Sequence, residues 1–115
     1  MEEQIRERIQ QLQMIEENLH SYLAQKQQVQ GQLMELESAQ EAIKDSPRAY
    51  RIIGSIMVER PAAEVSKDLA NRMERFKVRI AALEKQESKL KEKAEKLQQE
   101  IMAGMKKDGD HHGDV

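Results

Sequence analysis

Tyr50-Arg51-Ile52-Ile53-Gly54-Ser55-Ile56-Met57-Val58 is the stretch that decides how this chain folds. It is nearly free of charge and rich in β-branched residues, whereas both of its flanks read as long polar helix. Gly54-Ser55 separates two short apolar runs, and Gly at the first turn position suits a type II′ hairpin because Gly alone takes that positive φ without strain. A turn placed there sets Ile53 opposite Ile56 and Ile52 opposite Met57. Both faces of the resulting ribbon carry apolar side chains, and an isolated two-stranded hairpin is only marginally stable in water. The chain has nothing left over to cover it, so the ribbon reads as an assembly element.

Working outward toward the N-terminus, residues 3–45 read as one helix. Ile5, Leu12, Leu19, Lys26 and Leu33 share one heptad position, and Ile15, Tyr22, Val29, Leu36 and Ile43 share the other. Ile9 widens the stripe near its start. A seam kept up over about five heptads is a coiled-coil signature. Lys26 is a polar break in the seam, of the kind that fixes register at some cost in stability. Gly31 falls on the outer face. The helix stops at Asp45-Ser46-Pro47, because a proline pushes the residue before it out of the α region.

Toward the C-terminus, the second helix reads as residues 61–104, with Pro61 at its first position and Glu64 near the positive end of the dipole. Its seam is Met73, Ile80, Glu87, Ala94 and Ile101 at one position and Leu69, Phe76, Leu83, Leu90 and Leu97 at the other. The pattern frays at Gly104. Two helices of nearly equal length, each about 60 Å at 1.5 Å per residue, joined by a hairpin at residues 49–59, imply an antiparallel pair. Charge agrees. Residues 1–46 hold four basic and nine acidic residues, a net of −5, and residues 67–107 hold twelve basic and seven acidic residues, a net of +5. Opposite arms attract along their length and disfavour pairing of two acidic arms. The fold class is therefore mainly α: two long helices in an antiparallel coiled coil, joined by a single β-hairpin.

Composition narrows the function. With 35% charged residues, a mean hydropathy of −0.83, two Tyr, one Phe and no Trp, the 115-residue chain lacks the large apolar anchors of a compact core. There is no Cys, hence no disulfide framework and no thiolate metal site. No apolar run approaches the ~20 residues of a membrane span, and no signal-peptide pattern opens the sequence. A cytoplasmic protein without membrane contact is expected. No phosphate-cradling Gly loop and no nucleophile elbow is present, His20 falls on the outer helix face, and the carboxylates are spread along helices without a pocket to perturb them. An enzyme is not expected, nor a cofactor. Lys89, Lys91, Lys93 and Lys96 make the second helix basic, but stacking aromatics are missing and the net charge is −2, so nucleic acid is not an expected partner. Residues 108–115 have neither periodicity nor apolar content and read as a disordered tail. Its Asp110, His111, His112 and Asp114 lack a scaffold to fix ligand geometry, so no metal site is assigned there.

The order helix, single hairpin, helix, with Ala49-Tyr50-Arg51-Ile52-Ile53-Gly54-Ser55-Ile56-Met57-Val58-Glu59-Arg60 between the arms, resembles the β-class subunits of prefoldin. The most specific part is Tyr-Arg-x-x-Gly-x-x-x-Val-Glu-Arg, and the likeness extends over roughly residues 3 to 104 within a prefoldin-like domain of residues 1–107. A single hairpin points to the β class, since α-class subunits carry two, and the unelaborated chain looks archaeal. The tail from Asp108 onward is no family signature. The resemblance implies a heterohexamer of two α-class and four β-class subunits whose hairpins join into a β-barrel platform. Unfolded polypeptide would be held at the coiled-coil tips without ATP and passed to a group II chaperonin.

On that reading Tyr50, Ile52, Ile53, Gly54, Ile56, Met57 and Val58 form the oligomerisation hairpin. Ile5, Ile9, Leu12, Leu97, Ile101, Met102 and Met105 gather where the two termini meet and are the candidate client-binding residues. Ile5, Leu12, Leu97 and Ile101 equally complete the seam. Met102 and Met105 sit at or beyond the end of the pattern, and Met is a soft contact suited to varied clients. The alternative is a structural coiled-coil spacer or tethering subunit with no affinity for unfolded chains.

Overall fold

The computed structural model describes the backbone of residues 2–113 and the side chains of residues 2–106. The element order is α1 (Glu2–Ala42), β1 (Arg48–Ile53), β2 (Ile56–Pro61) and α2 (Ala62–Gly113). The chain divides into two compact units: a hairpin unit, Lys26–Ala82, and a terminal unit, Met1–Gln25 with Leu83–Val115.

Helix α1 is dense in Glu, Gln, Leu, Met and Ala, all good helix formers, and contains no Pro. Glu2 and Glu3 stand in its first turn, where the dipole favours carboxylates. It ends at Ala42, a little before the residue 45 expected from sequence. The chain tightens there rather than stopping abruptly. The Lys44 N–H donates to the Glu41 carbonyl at 3.3 Å and the Ser46 N–H to the Ile43 carbonyl at 3.1 Å, three-residue closures that satisfy some of the free carbonyls at the helix end.

Between helix and ribbon, the Ser46 hydroxyl donates to the Arg48 carbonyl at 2.8 Å. The Ala62 N–H donates to the Pro47 carbonyl at 3.1 Å. That bond occupies a donor that the first turn of α2 leaves free, and it joins the chain entering the ribbon to the chain leaving it. Pro61, expected to open α2, instead closes β2 opposite Arg48. A residue with no N–H fits the last rung of a ladder, and Ala62 supplies the donor that the fold-back bond needs.

In the hairpin unit the protected positions include Lys26, Val29, Leu33 and Leu36 on α1, Ile43 just beyond its end, and Leu69, Met73, Phe76 and Ile80 on α2. Val29 is the best covered, at 3% exposure. Gln40 Nε2 donates across to the Ser66 carbonyl at 3.3 Å. Gly31 lies on the exposed side, with open space where a Cβ would be. In the terminal unit the protected positions include Ile5, Ile9, Leu12, Ile15, Leu19 and Tyr22 on α1 and Leu83, Glu87, Leu90, Ala94, Leu97 and Ile101 on α2. Arg8 Nε lies 3.3 Å from Glu100 Oε2, and a Cβ on Gly104 would lie 3.2 Å from Ile5 Cδ1. Low numbers on α1 thus meet high numbers on α2, which is the antiparallel pairing read from the heptads.

Both heptad rows of both helices are therefore the shielded ones. Shielding is shallow, however: among the described residues no large side chain falls below 2% exposure. In each unit two helical segments make one seam, and among the described residues no further layer closes over it. The α2 backbone continues to Gly113, past the Gly104 at which the apolar pattern frays. The tail expected to be disordered, residues 108–115, lies outside the described side chains, and its last two residues lie outside the described backbone.

Candidate functional site

β1 and β2 pair antiparallel with Ile53 opposite Ile56, Ile52 opposite Met57, Arg51 opposite Val58 and Tyr50 opposite Glu59. This is the register expected from the Gly54-Ser55 turn. Gly54 has φ +63°, and no other described residue has a positive φ. Positive φ at the first central turn position alone is the mark of a type II′ turn.

Alternation then sorts the ribbon into two faces. Ala49, Arg51, Ile53, Ile56, Val58 and Arg60 share one face. Its base is held down: Ala49 is buried, Val58 is half-buried, and Arg51 Nη1 reaches Asp68 Oδ2 of α2 at 3.0 Å. Arg48, Tyr50, Ile52, Met57, Glu59 and Pro61 share the other, where Arg48 Nη1 and Glu59 Oε1 pair diagonally at 3.0 Å. Tyr50, Ile52 and Met57 on this second face are 63%, 71% and 65% exposed, and Ile53 and Ile56 at the tip are 50% and 65% exposed. Five large apolar side chains in one small ribbon thus face water. Among the described residues β1 and β2 form a sheet of two strands, so each keeps one edge with no neighbouring strand. An apolar ribbon with free edges is a template for a further strand.

The terminal unit places the other expected residues differently. Ile101 is buried, and Ile5, Ile9, Leu12 and Leu97 are half-buried within the pairing of α1 with α2. Met102 and Met105 stand outside it, at 70% and 55% exposure. The sequence reading passed over Met14, which is adjacent to the seam residue Ile15 and 63% exposed. It borders an open groove of about 500 Å³ whose walls also include Leu90, Leu97, Lys93 and Lys96. The signal for it was present as an apolar residue just off the heptad rows, but heptad counting assigns such a residue to the outer surface and stops there.

The model of a prefoldin subunit family matches residues 6–108. The chain belongs to the prefoldin subunit family. It is 32% identical over 100 residues to prefoldin subunit beta of Methanospirillum hungatei, covering 84% of this chain and 83% of that one. Prefoldin subunit beta of Pyrococcus abyssi is 31% identical over 106 residues, covering 90% and 91%. The crystal structure of the prefoldin beta subunit from Thermococcus strain KS-1 superposes with a TM-score of 0.84 at 31% identity, covering 88% of this chain and 91% of that one. These relatives are archaeal β-class subunits, the class that the single hairpin indicates. Prefoldin subunits are chaperone subunits, not enzymes, and assemble with other prefoldin subunits. Among the described residues no helix is long and apolar enough to cross a membrane.

Proposed function

We propose that this chain is a subunit of an ATP-independent cytoplasmic chaperone that holds unfolded polypeptide and hands it to a group II chaperonin. In this reading four copies join two α-class subunits, and the ribbons of all six close into a β-barrel. The observation that carries it is the ribbon, with Tyr50, Ile52, Ile53, Ile56 and Met57 all at least half exposed on strands with free edges. Neighbouring strands cover such side chains and satisfy the edge donors and acceptors in one step, and a closed barrel removes the edges altogether. Clients are held by the terminal unit. Met102 and Met105 supply adaptable apolar contact, and Ile5, Ile9, Leu12, Leu97 and Ile101 join them as the shallow seam opens.

The test has two parts. Native mass measurement of the full chain, with and without a co-expressed α-class subunit, is expected to show a six-chain complex only when both are present. That complex is expected to suppress aggregation of a denatured test protein without nucleotide, and the M102S/M105S complex to suppress it several-fold less. Assembly without any suppression would leave the spacer or tethering reading in its place.

A further inference from the structure

The groove on the terminal unit has an asymmetry of charge that client binding by apolar contact alone does not use. Met14, Leu90 and Leu97 give it an apolar wall, and Lys93 and Lys96 stand on α2 at its margin, both exposed. Its one carboxylate, Glu100, is already engaged by Arg8 at 3.3 Å. Neither lysine has an ion-pair partner among the described residues. Lys93 and Lys96 are three residues apart and so lie along one side of the helix. The groove therefore offers apolar surface flanked by two lysines that have no ion-pair partner among the described residues.

We infer that this groove selects among unfolded clients, taking apolar segments flanked by Asp or Glu in preference to those flanked by Lys or Arg. The inference rests on the client-holding reading above and adds a rule of choice to it. Apolar side chains of the bound segment lie against Met14, Leu90 and Leu97 while its carboxylates meet Lys93 and Lys96. A basic-flanked segment of equal apolar content meets like charge at the same place. Complementary charge at a rim raises the association rate and penalises the wrong partner. Two partly exposed pairs amount to a preference of about fivefold, and added salt weakens it. A nucleic-acid occupant fits the groove less well, because its wall holds no aromatic ring on which a base stacks.

The experiment measures binding of short labelled peptides to the assembled complex of full-length chains. The peptides share a Leu/Phe centre and carry Asp, Lys or Ser flanks. The Asp-flanked peptide is expected to bind about fivefold tighter than the Lys-flanked one at low salt, with the Ser-flanked peptide between. K93E/K96E is expected to invert that order and K93Q/K96Q to erase it. K91E, which changes an exposed lysine outside the groove, is expected to leave the order as it was. Equal binding of all three peptides by the unaltered complex would overturn the selection rule while leaving client holding intact. An order unmoved by K93E/K96E, or moved as far by K91E, would assign the preference to overall charge and overturn it too. Displacement of the Asp-flanked peptide by a thymidine oligonucleotide would overturn the peptide as occupant. Failure to bind any peptide would remove the inference together with the reading beneath it.

Discussion

The hairpin unit and the terminal unit expose apolar side chains in different ways. In the ribbon, exposure is built into the backbone: alternation on two short strands sends side chains to both faces, and the single chain covers only the base of one of them. In the terminal unit the helices cover their own seam, and the large apolar side chains left exposed, Met14, Leu23, Met102 and Met105, are off the heptad rows. The first arrangement offers directional hydrogen-bond edges and is suited to one geometry of partner. The second offers soft, undirected contact and is suited to many. On the proposed function, a subunit that assembles in one way and binds in many ways needs both, and the two would be carried by separate parts of the sequence.

The largest expected effect comes from charging the ribbon. I52D/M57D places two carboxylates on the face where Tyr50, Ile52 and Met57 are exposed, and it is expected to abolish assembly in native mass spectra. The helical circular dichroism of the chain should remain near that of the parent, because neither side chain packs in a helix seam. Loss of helix along with assembly would show that the two units are not separable in this way.

A smaller effect is expected in the seam. I101A removes one of the few buried apolar side chains of the terminal unit and should lower stability by about 2 kcal/mol, toward the low end for buried aliphatics because the site is shallow. M102A, at the neighbouring but exposed position, should fall within about 0.5 kcal/mol of the parent. Thermal unfolding of the two variants separates seam from surface, and equal destabilisation would erase the distinction drawn between them.

The smallest pair concerns glycine. Gly54 has φ +63°, so G54A puts a Cβ on a left-handed residue and should cost about 1 kcal/mol, seen as weaker assembly. Gly31 has helical surroundings and open space around it, so G31A should raise stability by about 1 kcal/mol without touching assembly. The same substitution with opposite signs ties each glycine to its local backbone.

Heptad spacing alone picked out the shielded rows, because a side chain's position around a helix follows from its number in the chain once the period is known. The Gly54-Ser55 turn likewise fixed the strand register, since a two-residue loop leaves no freedom in which residues face each other. What only the tertiary structure decided is how far each side chain is covered. Ile5 and Ile101 are both seam residues, yet Ile101 is buried and Ile5 only half-buried. Pro61 belongs to the ribbon because Ala62, not Pro61, has the N–H that reaches Pro47. Gly104, where the apolar pattern frays, lies against Ile5, a contact between residues far apart in the sequence. The groove with its two lysines is of the same kind. Its wall is assembled from Met14 on one helix and Leu90 and Leu97 on the other, and periodicity within a single helix carries no information about what lies across from it.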